Sequence, residues 1–198
     1  GNGTTATAPG GAASRITVNG GLVNFALLAL GYAGGAPAAT FNARPAFDLN
    51  AGVLTLTSDA RIGESKGCFA TLTVRGGTLR CVGQFGNAGL SLGGAQASSG
   101  TGVLNLMGTG VVDIAHNVLL GYSAGATGIL HLAGGSLIAS NLVRGAGAGF
   151  VRFNGGTFFP RVPGRTLSGL TAAYVSTNGA LFDTSLADGY TVSQNLLR

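Results

Sequence analysis

Asp113 and His116 stand three residues apart, a carboxylate and an imidazole that could share acid–base work on a substrate. A second histidine, His131, and four more charged positions, Asp48, Asp59, Glu64 and Asp183, with Asp188, complete the obvious candidates. Glycan-cleaving β-helical enzymes need carboxylates and a base that converge on one groove. The six acids here are spread over different turns and faces, and that convergence is not expected. Asp113 falls three residues after a glycine turn, where the preceding repeat carries Arg80, so an ion pair between neighbouring repeats is the plainer reading. His131 falls in an outward-facing polar column between Asn105 and Arg152. Cys68 and Cys81 are the only thiols. Cys81 aligns with the inward positions Leu56 and Ile114 and reads as a small core residue, while Cys68 lies in the preceding turn. A bridge would suit an extracellular protein, but the two face different ways. Gly145-Ala146-Gly147-Ala148-Gly149 leads into a strand and not a helix, which makes it a turn and not a phosphate cradle. Tyr32 and Tyr122 follow a recurring Leu-Gly step and could offer a stacking platform to glycans. The corresponding positions between them, Glu64 and Gly94, carry no aromatic ring, so packing within turns accounts for them. With no Walker loop, HExxH, GxSxG or CxxC, we expect no catalytic residue, cofactor or metal site, and not an enzyme.

The elements that position these residues are repeats. Arg15-Ile16-Thr17-Val18-Asn19-Gly20-Gly21-Leu22-Val23 has relatives at residues 71–79, 129–137 and 150–158, with looser copies at 47–54, 104–112 and 175–181. Two residues before each turn stand Val18, Leu49, Val74, Leu106, Leu132 and Phe153. Two residues after it stand Val23, Leu54, Leu79, Val112, Leu137, Phe158 and Leu181. Between the inward positions lies a polar column, Thr17, Asp48, Thr73, Asn105, His131 and Arg152. This period of two is the signature of half-buried strands, and no segment carries capped helical periodicity. A second element, an apolar residue then glycine then small residues, recurs at 30–35, 62–67, 92–94 and 120–125. Stacking such units makes a shared core that no unit could bury alone. The expected fold is all-β, a right-handed parallel β-solenoid of about seven coils with almost no helix. Residues 1–14 read as a flexible leader or inter-subunit arm, and 15–198 as one solenoid domain.

Composition sets the outer limits. Glycine supplies 37 of 198 residues without a collagen period, and charged residues only 9%, where about 25% is usual. Ten arginines and one lysine against six acids give a net charge of +5, but no cluster of five bases exists, which argues against a nucleic-acid partner. The longest apolar run, residues 25–30, is far short of a bilayer span of roughly 20 residues, so no transmembrane segment is expected. The chain opens on Gly1, as a processed or excised form would.

The phrases Gly128-Ile129-Leu130-His131-Leu132-Ala133-Gly134-Gly135-Ser136-Leu137 and Asn154-Gly155-Gly156-Thr157-Phe158 resemble the autotransporter-associated β-strand repeat. Gly179-Ala180-Leu181-Phe182-Asp183-Thr184, with Gly189-Tyr190-Thr191-Val192 and Leu196-Leu197, is similar to the terminal unit of such arrays. The resemblance implies a secreted or surface-displayed parallel β-solenoid, interrupted here at 36–46 and 159–165. Low surface charge, and terminal strands without a polar cap, point to an extracellular or cell-surface structural protein that assembles end to end with copies of itself. Arg15, Ile16, Thr17 and Val18 would form one side of that contact, and Tyr190, Thr191, Val192, Leu196 and Leu197 the other. The alternative is a monomeric adhesin or carbohydrate-binding domain with surface glycans as partners. A carbohydrate-active enzyme ranks below both.

Overall fold

The computed structural model describes residues 6–7 (backbone only), 13–32, 42–94 and 99–198. Among these, every regular element is a strand; there is no helix, and none long and apolar enough to cross a membrane. In chain order the strands are β1 (Ala6–Thr7), β2 (Arg15–Phe25), β3 (Leu28–Leu30), β4 (Ala46–Leu56), β5 (Ala60–Ile62), β6 (Phe69–Val74), β7 (Thr78–Cys81), β8 (Ala88–Leu92), β9 (Thr101–Ile114) and β10 (Asn117–Leu120). There follow β11 (Thr127–Ala139), β12 (Leu142–Arg144), β13 (Ala148–Phe153), β14 (Thr157–Pro160), β15 (Thr166–Leu167), β16 (Ala172–Val175), β17 (Leu181–Phe182), β18 (Thr191–Val192) and β19 (Leu196–Leu197).

These strands form three sheets in which all pairing between named strands is parallel. One sheet runs β1-β3-β5-β8-β10-β12. A larger one runs β2-β4-β6-β9-β11-β13-β16-β19, with β7 beside β4 and β9, and β14 between β11 and β17. The third is the pair β15-β18. Each strand thus lies beside its counterpart one repeat away. The expected inward column is realised in register, Val18 opposite Leu49, then Val74, Leu106, Leu132 and Phe153, and it continues to Val175. Members from Leu49 to Phe153 are fully buried, and together with Leu28, Leu30, Ile62, Leu90 and Leu120 they form one continuous core. Burial of this uninterrupted apolar file is what fixes the alignment of successive repeats.

The recurring Leu-Gly step has a backbone cause. Gly63 has φ of 77°, and a Cβ there would stand 2.1 Å from the Thr101 carbonyl oxygen; Gly121 meets Ala148 in the same way at 2.4 Å. At these corners one repeat's turn lies directly on the start of the next repeat's strand, leaving no room for a side chain.

One expectation changes. The after-turn column ends on Phe182, opposite Phe158, and not on Leu181, which pairs with Thr157 and is exposed. From Phe153 to Phe158 the chain advances five residues, but from Val175 to Phe182 it advances seven, so the last turn is longer and shifts the side that faces inward. Cys68 and Cys81 are unbridged, and both are buried. Burial pushes the Cys68 thiol up to about 11 and Cys81 to about 12, which leaves both protonated and unreactive at neutral pH. Within the stretch read as a flexible leader or inter-subunit arm, Ala6–Thr7 pairs its backbone with Leu28 and Ala29. The rest of the leader expectation, residues 1–5 and 8–12, and most of the 36–46 interruption lie outside the described residues.

Candidate functional site

The strongest concentration of chemistry is one that the scattering of the acids had concealed. Asp59, Arg61 and Glu64 flank and span β5, and alternation along a strand puts residues 59 and 61 on one side. Arg61 Nε donates to Asp59 Oδ2 at 2.5 Å, Nη2 to Asp59 Oδ1 at 3.4 Å and Nη1 to Glu64 Oε1 at 3.3 Å. Ser58 Oγ donates to Asp59 Oδ1 at 2.7 Å. Phe85 lays its ring over the guanidinium, 4.1 Å from Cζ to the centroid, and Tyr122 packs on Phe85 at 5.9 Å. Both carboxylates are buried, Asp59 to 1% exposure and Glu64 to 3%. Among the described residues Glu64 Oε2 has no hydrogen-bond partner, and neither has the hydroxyl of Ser91, the buried residue opposite Arg61 on β8.

The electrostatics follow from that burial. Desolvation pushes the Glu64 carboxyl up, and the nearby Asp59 charge adds to this, against the downward pull of Arg61. Burial works against the Arg61 charge too, yet hydrogen bonding and attraction from Asp59, then Glu64, hold the guanidinium above its ordinary value. Two carboxylates tied to one arginine beneath an aromatic lid cannot reach a substrate. Their chemistry is that of an internal latch, holding the 57–64 corner against the loop that carries Phe85.

The other candidates behave as surface or turn residues. Asp113 lies opposite Arg80 in register, 4.0 Å from its Nε, and makes a closer ion pair with Arg161. His131 Nδ1 stands 2.9 Å from Asn105 Oδ1, an acceptor, which makes Nδ1 the protonated nitrogen. Burial and then the Arg152 charge lower the His131 pKa. No hydrogen bond or ion pair joins the side chains of Asp113 and His116, and among the described residues no three metal-ligating side chains cluster. The amides of Gly145 and Gly147 are spent on the carbonyls of Leu120 and Gly121, so this glycine run cradles nothing. Tyr122 is a packing residue against Phe85, whereas Tyr32 is exposed and has no aromatic partner among the described residues. Asp113→Asn should therefore shift stability by less than about 1 kcal/mol, since both of its arginines remain solvated. His131→Ala, which loses one hydrogen bond, should cost on the order of 1 kcal/mol. Thermal denaturation of the two single variants measures both.

The residues expected at the two ends are spread as follows. Arg15, Ile16, Thr17 and Val18 lie on β2, whose only partner among the described residues is β4, with Ile16 and Val18 half buried against the core. Arg15 turns outward to Asp48 at 2.9 Å. Thr191 and Val192 form β18, and Leu196 and Leu197 form β19 on the free side of β16; all four are exposed. Tyr190 differs from them. Its hydroxyl donates to Asn141 Oδ1 at 2.8 Å and its ring packs on Phe158 at 5.7 Å, so it belongs to the interior contacts of its own chain. Sequence reasoning missed Leu181 and Leu186 in this region; they are half exposed, and with Phe182, Asp183, Thr184, Ser185 and Thr157 the former borders an open cleft of about 470 Å³.

No protein-family model, curated protein or solved structure matches this chain.

Proposed function

We propose that the protein is an extracellular or cell-surface structural subunit, a right-handed β-solenoid of about seven coils that assembles end to end with copies of itself. The observation that carries this reading is where the chain leaves large apolar side chains in water. Leu181, Leu186, Val192, Leu196 and Leu197 are all exposed within the last eighteen residues, and Leu22 on β2, at 80%, is the most exposed large apolar side chain among the described residues. Leu22 and Leu181 are moreover the two ends of one column, running through Val53, Thr78, Val111, Ser136 and Thr157. Among the described residues each end also presents a strand edge with a single partner, β2 at one and β17 and β19 at the other. Contact between unlike ends covers both kinds of surface and, being heterologous, propagates. The sparse surface charge opposes it little. The resemblance of residues 128–137 and 154–158 to the autotransporter-associated repeat supports the location.

Sedimentation velocity over a concentration series tests the reading. The wild-type chain should form species that grow with concentration, seen as filaments by electron microscopy. Leu196→Glu/Leu197→Glu should remain monomeric with an unchanged melting temperature. A single monomer peak for wild type at high concentration, or association indifferent to changes at both ends, overturns it.

A further inference from the structure

Charge on this protein is distributed unevenly among its faces. Asp113 is flanked by Arg80 and Arg161, and Asp59 and Glu64 hold Arg61. The outward face of the large sheet, built from the first halves of its strands, is different. Arg15 and Arg75 share Asp48 at 2.9 and 3.4 Å, and Arg44 and Arg152 have no carboxylate within 4 Å. Four arginines against one acid leave 4 − 1 = +3 on this face, out of +5 for the chain.

Between the two unpaired cations the face is apolar and hydrogen-bonding by turns. Arg44 lies over the exposed ring of Phe69, 5.4 Å from its centroid. Towards Arg152 the half-buried side chains of Ile129 and Phe150 lie opposite one another on β11 and β13, while Val103, opposite Ile129 on β9, is buried. Beside them stand Asn105, His131 and Arg152, each opposite the next. Outward positions on a strand are ordinarily polar, so the partly exposed pair Ile129 and Phe150, with exposed Phe69, calls for an explanation that core packing does not supply. From β4, which Arg44 precedes by two residues, to β13, which carries Arg152, is four strand spacings, roughly 19 Å.

We infer that this face binds an extended anionic polysaccharide, its carboxylates on Arg44 and Arg152 and its sugar rings on Phe69, Ile129 and Phe150. Aromatic and aliphatic faces receive the C–H surfaces of sugars, while the Asn105 and His131 ladder meets their hydroxyls. Duplex nucleic acid fits poorly, because one charge per about 1.7 Å would set most phosphates against uncharged surface. A polymer with a single carboxylate per sugar matches the sparse cations. The face runs along the stack of strands, away from both ends, and the inference does not depend on end-to-end assembly.

Affinity electrophoresis and calorimetry with polygalacturonate, neutral dextran and duplex DNA of matched length test it, on the wild-type chain and on Leu196→Glu/Leu197→Glu. Polygalacturonate should bind both proteins, more weakly as salt is raised, and dextran should not. Arg44→Gln/Arg152→Gln should weaken binding at least tenfold and Phe150→Ser severalfold, with melting temperatures retained. Arg165→Gln/Arg198→Gln, which removes the same charge elsewhere, should change it less than twofold. Equal loss in the two double variants, equal or tighter binding of DNA, or no binding of polygalacturonate at low salt overturns the inference.

Discussion

Leu132→Asp should abolish the folded state at ordinary temperature. Leu132 is fully buried, with Leu106 on one side of it in register and Phe153 on the other. Removing the leucine side chain alone would cost about 2–5 kcal/mol through lost transfer and the space left behind. A carboxylate placed there has no cation within the core to meet it, and adds several kcal/mol more or must take up a proton. The sum reaches the whole stability of an ordinary domain, about 5–15 kcal/mol. Because each repeat is held by its neighbours, a break at the fifth member of the column separates the stack into two parts that each expose a core cross-section. Far-UV circular dichroism and limited proteolysis should show loss of the cooperative transition, while Leu132→Met stays within about 1.5 kcal/mol of wild type. Leu22→Asp, at the most exposed leucine, should melt with wild type. A Leu132→Asp protein that melts normally would mean that the inward column is misassigned.

That column was legible in the sequence because it needs only a period of two and a turn to anchor it. Val18 to Phe153 could be aligned by their glycines, and the register follows them strand by strand. The reading failed where turn length varies. Two extra residues between Val175 and Phe182 move Leu181 out and Phe182 in, and no local propensity announces such a change. The polar column hid a second distinction: Asp48 and Thr73 face outward yet are buried, since Arg15 and Arg75 fold over Asp48. Long arginine stems cover surface in ways that a hydrophobic–polar pattern does not encode. The pairing of Asp59 with Arg61 was available as an i, i+2 relation on one strand. Glu64 was not, because it comes round the Gly63 corner, whose geometry depends on the neighbouring repeat. The basic face is likewise a property of the stack, since Arg44, Arg75 and Arg152 are far apart in the chain and share one side only through the register.

Arg61→Ala should be the most damaging change at any charged residue. The arginine is the sole cation on Asp59 and Glu64, and its loss leaves two carboxylates buried without compensation, a cost of about 3–5 kcal/mol. Phe85 loses its cationic partner at the same time, worth on the order of 1–2 kcal/mol in so desolvated a setting. The pH dependence separates this mechanism from simple loss of packing. In the wild type, burial already holds the Glu64 carboxyl above its ordinary value, so the folded state binds that proton more tightly than the unfolded chain does. A group shifted in this direction lends stability below its unfolded pKa and withdraws it as pH rises through the folded one. Removing Arg61 takes away the attraction and hydrogen bond that pull Glu64 down, moving its folded pKa further up and widening that window. The stability gap between Arg61→Ala and wild type should therefore be largest near pH 7 and narrow as the pH falls towards 5. Arg61→Ala/Glu64→Gln should recover part of the loss at neutral pH, because a neutral amide no longer needs the cation. Urea denaturation of the three proteins at pH 5 and pH 7 measures both effects. A gap that does not change with pH, with no recovery in the double variant, would assign Arg61 to packing through its stem and not to the charge it holds between Asp59 and Glu64.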